Sequence, residues 1–385
     1  MKSINQKLNR LQKFAYKSKK RLLSLPIQKK NCIGLLVYCI SFCISFISLF
    51  ILLTINSAAQ QSGGGYAGSW TSREFSARPL AMGGVFTGLA DDPNAIYYNP
   101  AGLSDLPEYP TLLSSVSMLG LGRTNSTLAW GQQIAPNIGF GIAFNNFYTG
   151  SFIARDVRGH AFSEYSNFQY MLALSASYKI AYASFGTTIK YLTDNLQGSE
   201  TFANGYSIDF GAMFDVMGYF KFGAQLQNAS SFLFWNTVHS DIMNLPWKIK
   251  TGVSTSFPTT VAYYEDRSTS TGEMMIEDTD FGNFLTIGLD ISYAQYSIAP
   301  VISLAAEYEA HKYITFRGGM ALYGDNWGQP QLFPMNNWGI GLTIYPDIDY
   351  LNDNLPFTFS IDYTISKELL NVNGINHSIS LNFNF

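Results

Sequence analysis

Ile379-Ser380-Leu381-Asn382-Phe383-Asn384-Phe385 alternates apolar and polar residues without a break up to the last position. Side chains of a strand alternate between its two faces. Ile379, Leu381, Phe383 and Phe385 therefore share one face, and Ser380, Asn382 and Asn384 the other. A soluble sheet has little reason to end on its most hydrophobic strand, whereas a membrane barrel must close with one. The competing reading is the last strand of a soluble sandwich, and the rest of the chain decides between them.

Back toward residue 109 the same period recurs in segments of about ten residues, the length a tilted strand needs to cross a bilayer. The clearest outward sets are Ile138, Phe140, Ile142, Phe144; Phe168, Tyr170, Leu172, Leu174; Tyr206, Ile208, Phe210, Phe214; and Phe220, Phe222, Leu226. They continue with Trp247, Ile249, Val253; Leu285, Ile287, Leu289, Ile291; Ile302, Leu304, Tyr308; Ile314, Phe316, Met320; Trp338, Ile340, Leu342, Ile344; and Phe357, Phe359, Ile361, Tyr363. Weaker segments lie at 109–119, 126–134 and 183–191. With the terminal strand these predict fourteen strands, an even number that returns both barrel ends to the periplasmic side. Turn residues separate the sets, as at Ala135-Pro136-Asn137 and Tyr345-Pro346-Asp347. Aromatics at set ends, among them Tyr148, Trp247, Tyr293, Trp338 and Tyr363, are expected at headgroup level. So many strongly apolar faces would need a very large soluble core. The expected fold is all-β, a transmembrane antiparallel β-barrel.

Charges inside the strands fall at the opposite parity. Lys190, Lys221, Lys248, Lys250 and Arg317 face the lumen with Asp209, Asp215, Asp290, Glu307 and Asp362. A Lys or Arg facing lipid at the midplane costs about 2–4 kcal/mol, so this placement supports the assigned phase. Equal numbers of both signs suit mutual pairing, or pairing with a filling segment; an ion-selective pore tends to show rings of one sign. Plain solvation of the lumen explains the same residues.

Residues 1–30 hold ten Lys and Arg and no acid, and an almost continuous apolar run follows to residue 55. Residues 1–59 read as an export signal with cleavage before Gln60, although the long apolar run also suits an uncleaved anchor. Cys32, Cys39 and Cys43 are the only cysteines, so the mature chain has no disulfide or thiolate metal site. That chain keeps 14 Lys and Arg against 27 Asp and Glu, a net charge of −13. Such acidity argues against nucleic acid as a partner. Charged residues make up 13% of the sequence, against about 25% in ordinary soluble domains, and aromatics 15%, the balance expected of a wall with one lipid face.

Residues 60–108 lack an alternating run and precede the barrel at 109–385. Their core is a small-residue stretch, Ala81-Met82-Gly83-Gly84, an Asp91-Asp92 turn, and Tyr97-Tyr98-Asn99-Pro100-Ala101-Gly102-Leu103. Asn99 before a proline is biased to extended geometry, and its side chain can cap a short helix or tie a turn. This segment resembles the N-terminal hatch of the FadL-type outer-membrane transporters and their relatives, including the PorV/PorQ-like proteins. The ending at 379–385 likewise resembles the terminal β-signal of bacterial outer-membrane proteins. Leu245-Pro246 ahead of Gly252, and the strands around Leu304 and Tyr313, follow the family in outline, but the specific part is Asn99-Pro100-Ala101. The resemblance implies a hatch folded into the lumen, gating at Asn99, Pro100 and Ala101, and passive uptake of hydrophobic compounds such as long-chain fatty acids across the outer membrane. It equally allows an accessory of protein secretion, binding cargo or a secretion-system protein.

Two features bear on that choice. The acidic stretch 258–282, on a periplasmic turn by the strand count, favours a docking role. Apolar residues at Phe232, Leu233, Phe234 and Trp235, and at Trp327, Leu332 and Phe333, are expected in two extracellular loops and suit an apolar ligand. Uptake is the favoured reading, with lipid and a hydrophobic small molecule as partners. Enzyme chemistry, a cofactor and a metal are not expected. His160, His239, His311 and His377 show no metal-ligand spacing, and His377 and Ser378, adjacent in a strand, point to opposite faces.

Overall fold

The computed structural model describes residues 67–385, apart from 217, 219, 238–240, 259–283, 296, 298–299, 323–336, 347–356 and 368–373. The proposed export signal, residues 60–66, nearly all of the acidic stretch 258–282, and the loop with Trp327, Leu332 and Phe333 lie outside the described residues.

The wall is built from β1 (Thr111–Leu119), β2 (Arg123–Ala135), β3 (Ile138–Arg155), β4 (Ala161–Ile180), β5 (Ala183–Gln197), β6 (Phe202–Val216) and β7 (Phe220–Trp235). After a two-residue piece, β8 (Ile242–Met243), it continues with β9 (Lys248–Pro258), β10 (Phe284–Ala294), β11 (Val301–His311) and β12 (Ile314–Leu322). The last three strands are β13 (Trp338–Ile344), β14 (Thr358–Lys367) and β15 (Asn376–Asn384). Consecutive strands pair antiparallel, with β7 passing over to β9 and β8 added only to the end of β7. The sheet closes where β1 meets β15, from Thr111 opposite Asn384 to Met118 opposite His377. Leaving β8 aside, fourteen antiparallel strands form a closed barrel, and each lies where the period-2 pattern put it.

The alternation has the anticipated phase. Ile189, Phe210, Phe316 and Ile340 are more than half exposed, while Lys190, Asp209, Ser378 and Ser380 on neighbouring inward positions are buried. Exposed apolar side chains continue around the wall, far beyond the few hundred Å² that a soluble surface leaves in one patch. A closed barrel pairs its backbone groups between strands, so this surface can face hydrocarbon without orphaned N–H or C=O groups. Among the described residues no helix is long and apolar enough to cross a membrane. Crossing is the work of the strands.

Among the described residues the strands are of uneven length. β3 and β4 have 18 and 20 residues, β12 and β13 only 9 and 7. The near end of the barrel is the one where Thr111 and Asn384 meet; the far end holds the β3–β4 hairpin and the segment between β7 and β9.

One loop assignment is corrected. Phe232, Leu233, Phe234 and Trp235 belong to strand β7, with Phe232 and Phe234 on the outer surface and Leu233 buried inside. The unbroken apolar run hid the alternation, because here the inward face is apolar as well. Tyr293 also departs from expectation, since it is 6% exposed beside Trp247, with ring centroids 6.0 Å apart, rather than projecting as part of a girdle.

Candidate functional site

Residues 67–110 thread the lumen from the far end to the near end before the chain turns into β1. At the far end a Cβ on Gly68 would strike Leu245, and the Arg73 guanidinium lies 5.1 Å from the Phe147 ring centroid. At the near end Asp105 reaches Lys179 and Lys221, and Gln133 N–H donates to Pro107 O at 2.9 Å. Between these points the segment makes a 3-10 turn (Ser69–Ser72), helix α1 (Ala77–Ala81), helix α2 (Ala95–Tyr98) and a second 3-10 turn (Pro100–Asp105). Its buried Trp70, Phe75, Phe86, Ile96, Tyr97, Tyr98 and Leu103 join inward Leu119, Phe147, Met171, Leu192 and Leu233 of the wall in one apolar cluster.

Local sequence dictates these short elements. Helix α1 ends in a Schellman arrangement, with Gly84 N–H on Pro79 O and Gly83 N–H on Leu80 O. Both glycines have positive φ, +58° and +84°, which suits a residue without Cβ. Ahead of α2, the Asp92 side chain accepts from Asn94 N–H at 2.7 Å, as an Asx turn does. Asn99 is extended and fully buried. Its Oδ1 accepts from Ala101 N–H at 3.2 Å, capping a turn that carries Pro100 at its first position. Its Nδ2 donates to Thr87 O at 2.8 Å and Ala212 O at 3.1 Å. One amide thus ties two turns of the segment to β6.

Wall glycines make this fit possible. A Cβ on Gly139 would overlap Leu103 O, on Gly186 the Pro100 backbone, on Gly211 the Asn99 amide, on Gly223 Thr87 O, and on Gly339 Leu80 O. All lie on the inward face. The lumen is therefore shaped to this segment, backbone against backbone, with the Pro100–Asp105 turn against β2–β6 and α1 against β12–β15 and β1.

The predicted lumen charges are where the alternation put them, and most are paired. Lys190 and Asp209, both buried, meet at 2.6 Å beside a bulge where Asn228 adopts φ +54° and its N–H donates to Asp209 Oδ1 at 2.8 Å. Lys250 reaches Glu74 at 3.3 Å and lies 5.0 Å from the Tyr98 ring centroid. Lys221 binds Asp105, and Asp290 accepts from the Phe86 and Thr87 amides at 3.1 and 3.0 Å. Asp215 sits at the end of β6, where it caps a turn through Gly218 N–H. Lys248 is half-buried close to Lys250.

The largest cluster joins the segment to the wall through Arg78. Its Nε and Nη2 grip both oxygens of Glu307 on β11, at 3.0 and 3.1 Å, and its Nη1 binds Asp91 at 2.6 Å and Asp92 at 2.8 Å. Glu307 also accepts from Arg317 of β12, which binds Asp362 of β14 at 2.9 Å and Thr343 of β13; Asp362 in turn accepts from Asn382 of β15 at 2.6 Å. The sequence marks Asp91 and Asp92 only as a turn, and it does not mark Arg78, Glu74, Asp105 or Lys179 as site residues. Arg73 and Arg78 are the only cations between residues 60 and 108, and that scarcity was the available signal.

Electrostatics follow this pairing. Burial alone would raise the Glu74 carboxyl, but Lys250 and Lys248 outweigh it and hold it below the usual carboxylate range. Asp105 is likewise lowered, burial being overcome by Lys221 and Lys179. Burial pushes Asp92 up in spite of Arg78. Arg78 itself is held firmly protonated, its burial offset by Asp91, Glu307 and Asp92.

Below α1, at the near end, lies a cavity of about 280 Å³. Arg78, Asp91, Asp92, Glu307, Arg317 and Tyr345 contribute to its lining, and the Asp91 side chain, 39% exposed, meets solvent. Among the described residues no three His, Cys, Asp or Glu side chains are grouped so as to hold a metal ion. His377 faces outward, with Nδ1 2.8 Å from Tyr363 OH, while Ser378 is buried inside.

No protein-family model and no curated protein sequence matches the chain. Among solved structures, the Ralstonia pickettii toluene transporter TbuX aligns with 81% of this chain and 98% of its own, at 13% identity and a TM-score of 0.51. The Pseudomonas putida toluene transporter TodX gives the same coverages and TM-score at 11% identity. A Pseudomonas aeruginosa FadL homologue aligns over 80% of this chain at 10% identity and a TM-score of 0.49. This chain has the barrel fold of TbuX and TodX, over nearly their whole length.

Proposed function

We propose that this chain is an integral outer-membrane barrel for passive uptake of hydrophobic compounds, gated by the segment that fills its lumen. The observation that carries the reading is the pairing of an apolar inner face at the far end, formed by Phe147, Met171, Leu192 and Leu233, with a filling of the chain's own Trp70 and Phe75. A hydrophobic solute gains about 25 cal/mol for each Å² of apolar surface it hides, so such a face can draw it out of water once the filling shifts. The fold shared with two toluene transporters supports the same class of solute. In this reading Asn99, Pro100 and Ala101 seat the hatch, and the lumen charges hold it in place rather than select ions. The finer choice between a long-chain fatty acid and a small aromatic hydrocarbon turns on how far the filling withdraws.

The test is solute entry into vesicles containing the purified barrel, run with labelled toluene and with labelled long-chain fatty acid against protein-free vesicles. Entry of either above the protein-free rate, slowed when Met171 and Leu192 are changed to Asp, is the expected result. Rates equal to those of protein-free vesicles for both solutes would sink the proposal.

A further inference from the structure

The lumen filling is held by wall glycines and by ion pairs on both of its sides, and the ion pairs differ. On the β2–β6 side the Pro100–Asp105 turn lies backbone-to-backbone on Gly139 and Gly186, with the Asn99 and Pro100 side chains on Gly211 and Asn99 bonded into β6. That contact is close-packed, and the end of the turn is fastened by Asp105 to Lys179 and Lys221. On the other side α1 also rests on Gly339 and Gly341, and polar groups hold it: Ala77 N–H donates to Ser380 Oγ at 3.0 Å, Thr364 Oγ1 donates to Ala77 O at 2.7 Å, and Arg78 grips Glu307. Directly beneath this polar side lies the 280 Å³ cavity, bounded by Asp91, Asp92 and the wall residues Glu307 and Arg317.

We propose that α1 is the moving part of the filling, that the Arg78–Glu307 grip is its latch, and that the near-end cavity is an exit vestibule already formed below it. The inference rests on the transport reading above and names how that gate is released. Two arguments favour this side. Unlatching α1 exchanges an Arg–carboxylate contact for water that already reaches Asp91, whereas freeing the Pro100–Asp105 turn would separate Asp105 from both Lys179 and Lys221. In addition, Glu307 has a second partner, Arg317, so it keeps a cation, shared with Asp362, when Arg78 leaves, and Arg78 keeps Asp91 and Asp92. Breaking a buried pair is severe when it strands a charge, and neither charge is stranded here.

The test uses the full chain with Cys32, Cys39 and Cys43 changed to Ser, folded in vesicles, and one reporter cysteine at a time. Leu80→Cys reports on α1, and Leu103→Cys on the fixed turn; both leucines are at most 5% exposed. Labelling by a small membrane-impermeant thiol reagent is timed with and without Arg78→Met. The expected result is at least tenfold faster labelling of Leu80→Cys in Arg78→Met, with Leu103→Cys unchanged, and a smaller rise of the same kind in Glu307→Gln. Barrel folding is checked for each variant by its heat-modifiable gel mobility, and Glu307→Gln supplies the test should Arg78→Met fail to fold. A Leu80→Cys that stays protected in the folded variants, or equal acceleration of both cysteines, would overturn the latch. Solute entry run on the same vesicles separates the two claims. A barrel that carries no hydrophobic solute but keeps this labelling pattern sinks the transport reading alone.

Discussion

Replacing Asn99 gives the sharpest test of how the filling is seated, because its side chain is fully buried and makes three hydrogen bonds. In Asn99→Ala the Ala101 N–H and the Thr87 carbonyl lose this partner in a site with no access to solvent. Each stranded buried group costs about 1–3 kcal/mol, so the two together weaken the seat by about 2–6 kcal/mol. Ala212 O lies in the β6 ladder and adds little. At tenfold per 1.4 kcal/mol, the unseated population rises by about 30-fold to 10⁴-fold. Asn99→Asp is the telling variant. It keeps the acceptor for Ala101 N–H but turns a carboxylate oxygen toward the Thr87 and Ala212 carbonyls, and it is expected to be worse than Ala. Hydrogen exchange of the amides at 86–106, followed by mass spectrometry in vesicles, reads the unseating directly. Wild-type protection in Asn99→Asp, or a smaller loss there than in Asn99→Ala, would refute the reasoning.

Three further outcomes are expected. Lys190→Met leaves the buried Asp209 without its cation and should lower barrel stability in urea by about 3–5 kcal/mol, whereas the double change Lys190→Met with Asp209→Leu should recover most of that loss. Gly186→Val drives a branched side chain into the Pro100 backbone and should raise single-channel conductance by dislodging the turn, while Phe185→Val, on the outer surface, should leave conductance at the wild-type level. Asp105, with a folded-state pKa below its unfolded value, stabilises the seat above about pH 4, and that contribution is lost as pH falls through the folded value. Conductance should therefore rise as the pH is taken progressively below about 4, and Asp105→Asn should remove the Asp105 part of that rise.

The wall was readable in the sequence because a membrane barrel imposes period 2 on every strand. Lipid demands apolar residues at alternate positions, and the lumen tolerates charges at the others, so Ile189 and Lys190 announce their faces. Phe232 to Trp235 misled for the complementary reason: where the inward face packs on an apolar filling, both faces are apolar and the pattern disappears. The filling was legible only in outline. Asn99 before Pro100 announced a capped turn, but its bonds to Thr87 and Ala212 depend on which strand lies opposite. The Arg78–Glu307 pair spans 229 positions, and no local pattern encodes a contact made by closing a barrel. The sequence does carry one trace of the filling, since Gly139, Gly186, Gly211, Gly223 and Gly339 all sit at inward parity. In a strand a glycine often marks a place where another backbone approaches closely.

Ala77 of the filling is bonded to Ser380 of the final strand, 303 positions away. The Pro100–Asp105 turn, meanwhile, sits on strands β2–β6, which are made long before the final strand. This sets an order of assembly. A lumen cut to the backbone of its occupant leaves no clearance for threading that occupant through a finished wall, so the strands must gather around residues 67–106 and the β1–β15 seam must close last. Contacts of such separation form slowly, since loop-closure entropy is spent before they are rewarded. The N-terminal segment is then a template on which the cylinder is wound, and a chain lacking it should misfold at the seam rather than yield an open pore.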